Sequence, residues 1–73
     1  MFTHPIIMRI DYNDGKTDLL QTHTEGNMVV ASALFGGDVR GVWLITGDGE
    51  VLNVETDEHI VEPGRRFCIE VEE

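Results

Sequence analysis

The chain has 73 residues, enough for one domain, and 14 acidic against 5 basic side chains give it a formal net charge of −9. So short a chain buries only about 60% of its unfolded surface, so each apolar side chain counts. The acidity excludes direct binding to nucleic acid, whose phosphates need Lys and Arg to neutralise them. One cysteine, Cys68, excludes an internal disulfide framework and suits a reducing cytoplasm. No apolar run reaches the length of a membrane span, and the N-terminus lacks the pattern of a signal peptide. These features predict a cytoplasmic protein with neither membrane nor nucleic acid as its partner.

Charge is unevenly spread. Residues 1–37 hold four acids and two bases, whereas residues 38–73 hold ten acids and three bases. A basic surface on another protein would be attracted to the second half; the alternative is that the acidity serves solubility.

In chain order, Pro5 suits a strand start. Ile6, Met8, Ile10 and Tyr12 alternate with Ile7, Arg9 and Asp11, the period of a half-buried strand. Asn13-Asp14-Gly15-Lys16 is a turn. With Asp14-Gly15 as a two-residue loop, Tyr12 faces Thr17, Ile10 faces Leu19, and residues 17–24 form the second strand. Glu25-Gly26-Asn27 breaks the pattern. Residues 28–35, MVVASALF, read either as a short helix ended by Gly36 or as a strand; the strand is preferred because the run is short and every neighbour is a strand. Gly36-Gly37-Asp38 is a turn.

The densest apolar stretch is residues 41–55, GVWLITGDGEVLNVE. Asp48-Gly49 read as a two-residue type I′ turn pairs Ile45 with Leu52 and Trp43 with Val54. Trp43, Ile45, Leu52 and Val54 then form one face and should lie in the core with Phe67 and Ile69. Val42, Leu44 and Val51 occupy the reverse face, matched in the first hairpin by Ile7 and Leu20. Such leftover apolar residues mark an interaction surface, here a possible interface between copies formed by Ile7, Leu20, Val42, Leu44 and Val51, unless residues 28–35 cover them. Residues 59–61 form a short strand, and Glu62-Pro63-Gly64-Arg65 fits a type II turn. In the last strand, residues 66–72, Phe67, Ile69 and Val71 face in, and Arg66, Cys68, Glu70 and Glu72 face out. The whole predicts an all-β fold, a small antiparallel sandwich or barrel of five or six strands.

Candidate chemistry is sparse. His4, His23, His59 and Cys68 have zinc-ligand character but no ligand spacing, so a metal-dependent enzyme is the outside possibility and no metal or cofactor is expected. Asp57, Glu58 and Glu62 flank His59, yet no nucleophile, base and orienting group can be named together, and no catalytic residue is assigned. Gly47-Asp48-Gly49 and Gly36-Gly37-Asp38 lack the lysine of a phosphate loop and the spacing of a calcium loop. The remaining candidate is a binding surface formed by Glu55, Asp57, Glu58, Glu62, Glu70 and Glu72.

Residues 41–71, through Gly41, Leu44, Gly49, Glu50, Ile60, Val61, Pro63, Gly64 and Phe67, resemble the TRAP-like β-sandwiches. These include the altered-inheritance-of-mitochondria family and the trp RNA-binding attenuation protein. The resemblance implies a compact sandwich that assembles into rings or trimers, and it brings no catalytic residue. The RNA-binding member uses clustered basic residues, which this chain lacks, so RNA binding is not carried over. In size, acidity and missing catalytic motif the chain also resembles small phage-encoded inhibitors such as anti-CRISPR proteins. The expected function is non-enzymatic: a small acidic inhibitor or regulator occupying a basic, nucleic-acid-binding surface of a partner protein. The alternative is a homo-oligomeric scaffold.

Overall fold

A computed structural model describes residues 3–71. The described residues contain eight strands and no helix: β1 (Ile7–Tyr12), β2 (Thr17–Gln21), β3 (His23–Glu25), β4 (Met28–Ser32), β5 (Gly37–Ile45), β6 (Val51–Val54), β7 (Ile60–Val61) and β8 (Arg66–Glu70). They form two antiparallel sheets, the small all-β sandwich expected. The larger runs β2-β1-β5-β6, with β7 pairing the start of β5; the smaller runs β3-β4-β8. The count exceeds five or six, and one of the extra strands arises because the segment expected as one strand over residues 17–24 breaks at Thr22. There the chain leaves the large sheet and enters the small one, and the Thr22 hydroxyl donates to the Ile6 carbonyl at 2.7 Å across the corner. Residues 28–32 are strand, as preferred, and Gly37 opens β5 instead of lying in a turn.

Both Asp-Gly hairpins differ from the expected geometry in the same way. A type I′ turn needs φ > 0 at both central residues. Here only the glycines take it, Gly15 at +93° and Gly49 at +89°, and no other residue type has positive φ among the described residues. Each loop therefore holds three residues. Gly15 N–H donates to the Tyr12 carbonyl and Gly49 N–H to the Thr46 carbonyl, closing a type I turn followed by a left-handed glycine. The aspartates favour this form by accepting a bond from the backbone N–H two residues on, Lys16 to Asp14 at 3.0 Å and Glu50 to Asp48 at 3.4 Å.

The extra loop residue shifts each register by one and exchanges the faces. Leu44 pairs Leu52, Trp43 pairs Asn53, Ile10 pairs Asp18 and Met8 pairs Leu20. Leu20, Val42 and Leu44, expected at an interface between copies, are therefore core residues of the chain itself. Trp43 and Ile45, expected in the core, lie on the outer face and are partly exposed, and Leu52 and Val54 are partly exposed on the inner face.

The core is one cluster between the sheets. Met8, Ile10, Tyr12, Leu20, Val42 and Leu44 come from the large sheet, and Val29, Ala31, Phe67 and Ile69 from the small one. β8 alternates as expected, with Phe67 and Ile69 buried and Arg66 and Glu70 exposed, and Val71 packs against the cluster. The type II turn forms too: Arg65 N–H donates to the Glu62 carbonyl at 3.1 Å, and Gly64 has φ +75°.

Candidate functional site: an acidic flank and an open sheet face

Two surfaces stand out. The first is the outer face of the large sheet, which no element covers among the described residues. The register lays out two rows across it, Gln21–Ile7–Ile45–Val51 and Leu19–Arg9–Trp43–Asn53. Val51 and Leu19 are the most open, 59% and 64% exposed. Ile7 and Val51, expected in an apolar interface, do lie here. In the centre, the Arg9 guanidinium sits 5.5 Å from the centre of the Trp43 ring. It also binds Asp11, Nε to Oδ1 at 3.0 Å. That hydrogen bond is the main reason the Asp11 carboxyl lies below its ordinary range.

The second surface is acidic. Glu55, Asp57 and Glu58 lie in the connection from β6 to β7, Glu62 opens the turn after β7, and Glu70 ends β8; all five are exposed. Glu72 lies outside the described residues. These acids line three separate hollows. Glu55 and Asp57 line a hollow of about 570 Å³ with Arg40, Gly41, Asn53 and His59. Glu55 and Glu70 line a cleft of about 640 Å³ floored by Leu44, Leu52, Val54 and Val71. Glu58 and Glu62 share a smaller hollow with Arg65 and Arg66.

Most of the bases are already engaged. Arg9 binds Asp11, Lys16 binds Asp14 at 3.9 Å, Arg65 binds Glu62 at 3.1 Å, and Arg66 binds Glu25. Glu55, Asp57, Glu58 and Glu70 have no cationic partner among the described residues.

The proposed zinc-type residues do not converge. His23 pairs with Glu25 at 2.6 Å on the exposed side of β3, and that bond chiefly holds the Glu25 carboxyl below its ordinary value. Cys68 is half-buried on β8, with Val30 between it and His23 in the register. The His59 carbonyl accepts from Val39 N–H at 2.8 Å. Among the described residues no three His, Cys, Asp or Glu gather into a metal-holding group.

Sequence reasoning passed over Asp18. It is 1% exposed, and one carboxylate oxygen accepts both the Tyr12 hydroxyl at 2.5 Å and the Phe35 backbone N–H at 3.2 Å. The Tyr12 phenol is pushed up to about 12, first by burial and then by its bond to Asp18. The pair ties the first hairpin to the connection between β4 and β5. The signal was present in the Tyr12 to Asp18 spacing, but only the three-residue loop turns Asp18 inward.

Comparison of the chain with protein-family models, with curated proteins and with solved structures gives no match.

Proposed function

We propose that this protein is a non-enzymatic binding module, a small acidic inhibitor or regulator that occupies a basic, nucleic-acid-binding surface of a partner protein. One observation carries the reading: Glu55, Asp57, Glu58 and Glu70 are exposed and have no cationic partner among the described residues. Uncompensated like charges repel one another, and a partner that supplies Lys and Arg relieves that repulsion while being steered into contact. The anti-CRISPR-like profile of size and acidity agrees with this reading.

The test is affinity capture from a cell lysate, followed by kinetics on the identified partner. The partner should be a nucleic-acid-binding protein that duplex DNA displaces. Association should slow steeply as salt rises, and reversing Glu55, Asp57, Glu58 and Glu62 to Lys should slow it further. Association that neither salt nor charge reversal changes would refute the proposal.

A TRAP-like homo-oligomeric scaffold is the second reading. The row Ile7–Ile45–Val51 on the open sheet face favours it, since a second copy would take those side chains out of water. A mass measurement in solution decides: a ring or trimer supports the scaffold, a monomer the inhibitor.

A further inference from the structure

The large sheet ends at β6, whose outer edge pairs with nothing among the described residues. Thr46 N–H donates to the Glu50 carbonyl at 2.8 Å, so residues 46 and 50 form a hydrogen-bonded pair. Such pairs alternate along an antiparallel ladder. Leu52, opposite Leu44, and Val54, opposite Val42, therefore turn their backbone groups toward β5. Val51 and Asn53 turn theirs outward. An open edge with two residues' worth of free N–H and C=O groups is a template for another strand.

Beside this edge the sandwich does not close. The cleft of about 640 Å³ runs between β6 and β8, lined by Leu52, Val54 and Val71 together with Asn53, Glu55 and Glu70. Glu50 and Glu55, both exposed, bracket the strand in the run Glu50-Val51-Leu52-Asn53-Val54-Glu55. A strand laid along β6 would point alternate side chains into the cleft, and its ends would meet carboxylates.

We propose that the β6 edge takes up an extended basic segment of the partner by strand addition, with apolar side chains in the β6–β8 cleft and flanking Lys or Arg on Glu50, Glu55 and Glu70. The inference rests on the basic-partner reading above and names its mode of contact. Charge selects the occupant. A second copy pairing antiparallel along the same edge through Val51 and Asn53 would set Glu50 opposite Val54 and Glu55 opposite Gly49, so it brings no cation to either carboxylate. A basic strand meets opposite charge at both ends.

The probe is a synthetic peptide with alternating valine and threonine between terminal lysines, added to the full isotope-labelled chain and followed by backbone amide shifts. Controls are the same peptide N-methylated along its backbone and a lysine-matched Gly/Ser peptide that forms no strand. Shifts should concentrate on residues 50–55 and 70–71. Asn53→Pro, which removes an outward N–H on an edge where proline is tolerated, should weaken binding about tenfold or more, as should E50K/E55K. N-methylation of the peptide should abolish binding, an outcome that needs no folded variant. Salt-dependent binding that is equal for all three peptides and unchanged in Asn53→Pro would overturn strand addition while leaving the basic-partner reading standing. No salt-dependent binding to any of the peptides would overturn both.

Discussion

The Trp43 indole lies over the α-carbon of Gly41: a methyl group added to Gly41 would stand 2.6 Å from Cη2 and 2.9 Å from Cζ3. The ring thus packs against the Gly41 backbone, with the Arg9 guanidinium 5.5 Å from its centre. Gly41→Ala should lift the indole off the sheet, red-shift its emission and cost about 1–2 kcal/mol. An unchanged spectrum together with unchanged denaturant stability would contradict this packing.

Trp43 and its neighbour Leu44 should differ in a way opposite to their sizes. Leu44 is fully buried, so Leu44→Ala should cost about 2–5 kcal/mol. Trp43 is only partly buried, and Trp43→Ala should cost about 1–2 kcal/mol, below the range for a fully buried aromatic. Paired urea titrations give the order; a larger loss at Trp43 would restore the face assignment read from the sequence.

Gly49 has open space around its α-carbon, so the cost of a side chain there is conformational and not steric. Its φ of +89° makes Gly49→Val unfavourable by about 1–2 kcal/mol. Gly15→Val should behave alike at the first hairpin, where φ is +93°. Full stability in either variant would show that the loop can adopt another form.

These hairpins mark what was legible in the sequence. The strands, the Pro63-Gly64 turn and the inward set of Phe67 and Ile69 followed from alternation and turn chemistry. Which face of the large sheet is inner did not follow. An Asp-Gly pair serves a two-residue loop and a three-residue loop alike, and β5 is apolar on both sides. One residue of loop length therefore decided between Trp43 and Leu44, and with them Leu20, Val42 and Asp18. The exposed acids were legible because a charge without a partner stays in water, whichever face is inner.

Tyr12 offers a pH test with a direct readout, because it is the only tyrosine. Its pKa in the folded protein is raised from 10.0 to about 12. The folded state therefore holds the phenol proton more tightly than the unfolded chain. The associated stability, about 2–3 kcal/mol, is complete below pH about 10 and is lost as pH rises toward about 12. Phenolate absorbance should appear late and together with unfolding. Free titration near pH 10 in the folded protein would refute the buried pair.

Tyr12→Phe should cost about 1–3 kcal/mol, since it removes a hydroxyl donor and leaves Asp18 buried with one bond fewer. Asp18→Asn keeps a polar partner for the hydroxyl and should cost less. An unchanged stability of Tyr12→Phe in chemical denaturation would mean that the hydroxyl bond contributes nothing.

The order of pairing has a consequence for how the chain assembles. β1 lies between β2, which follows at once, and β5, which the chain reaches only after β3 and β4 have been made. β4 likewise waits for β8 before its second edge is filled. The hairpins β1–β2, β3–β4 and β5–β6 can rest on local contacts; the pairings of β1 with β5 and of β4 with β8, which build the core, close over long stretches of chain. Closure of this kind belongs to the slow class of small domains, with folding times of roughly milliseconds to seconds. During that interval β4, apolar at Val29, Val30 and Ala31, has an unfilled edge, so the newly made chain is most open to wrong pairing before Arg66–Glu70 arrives.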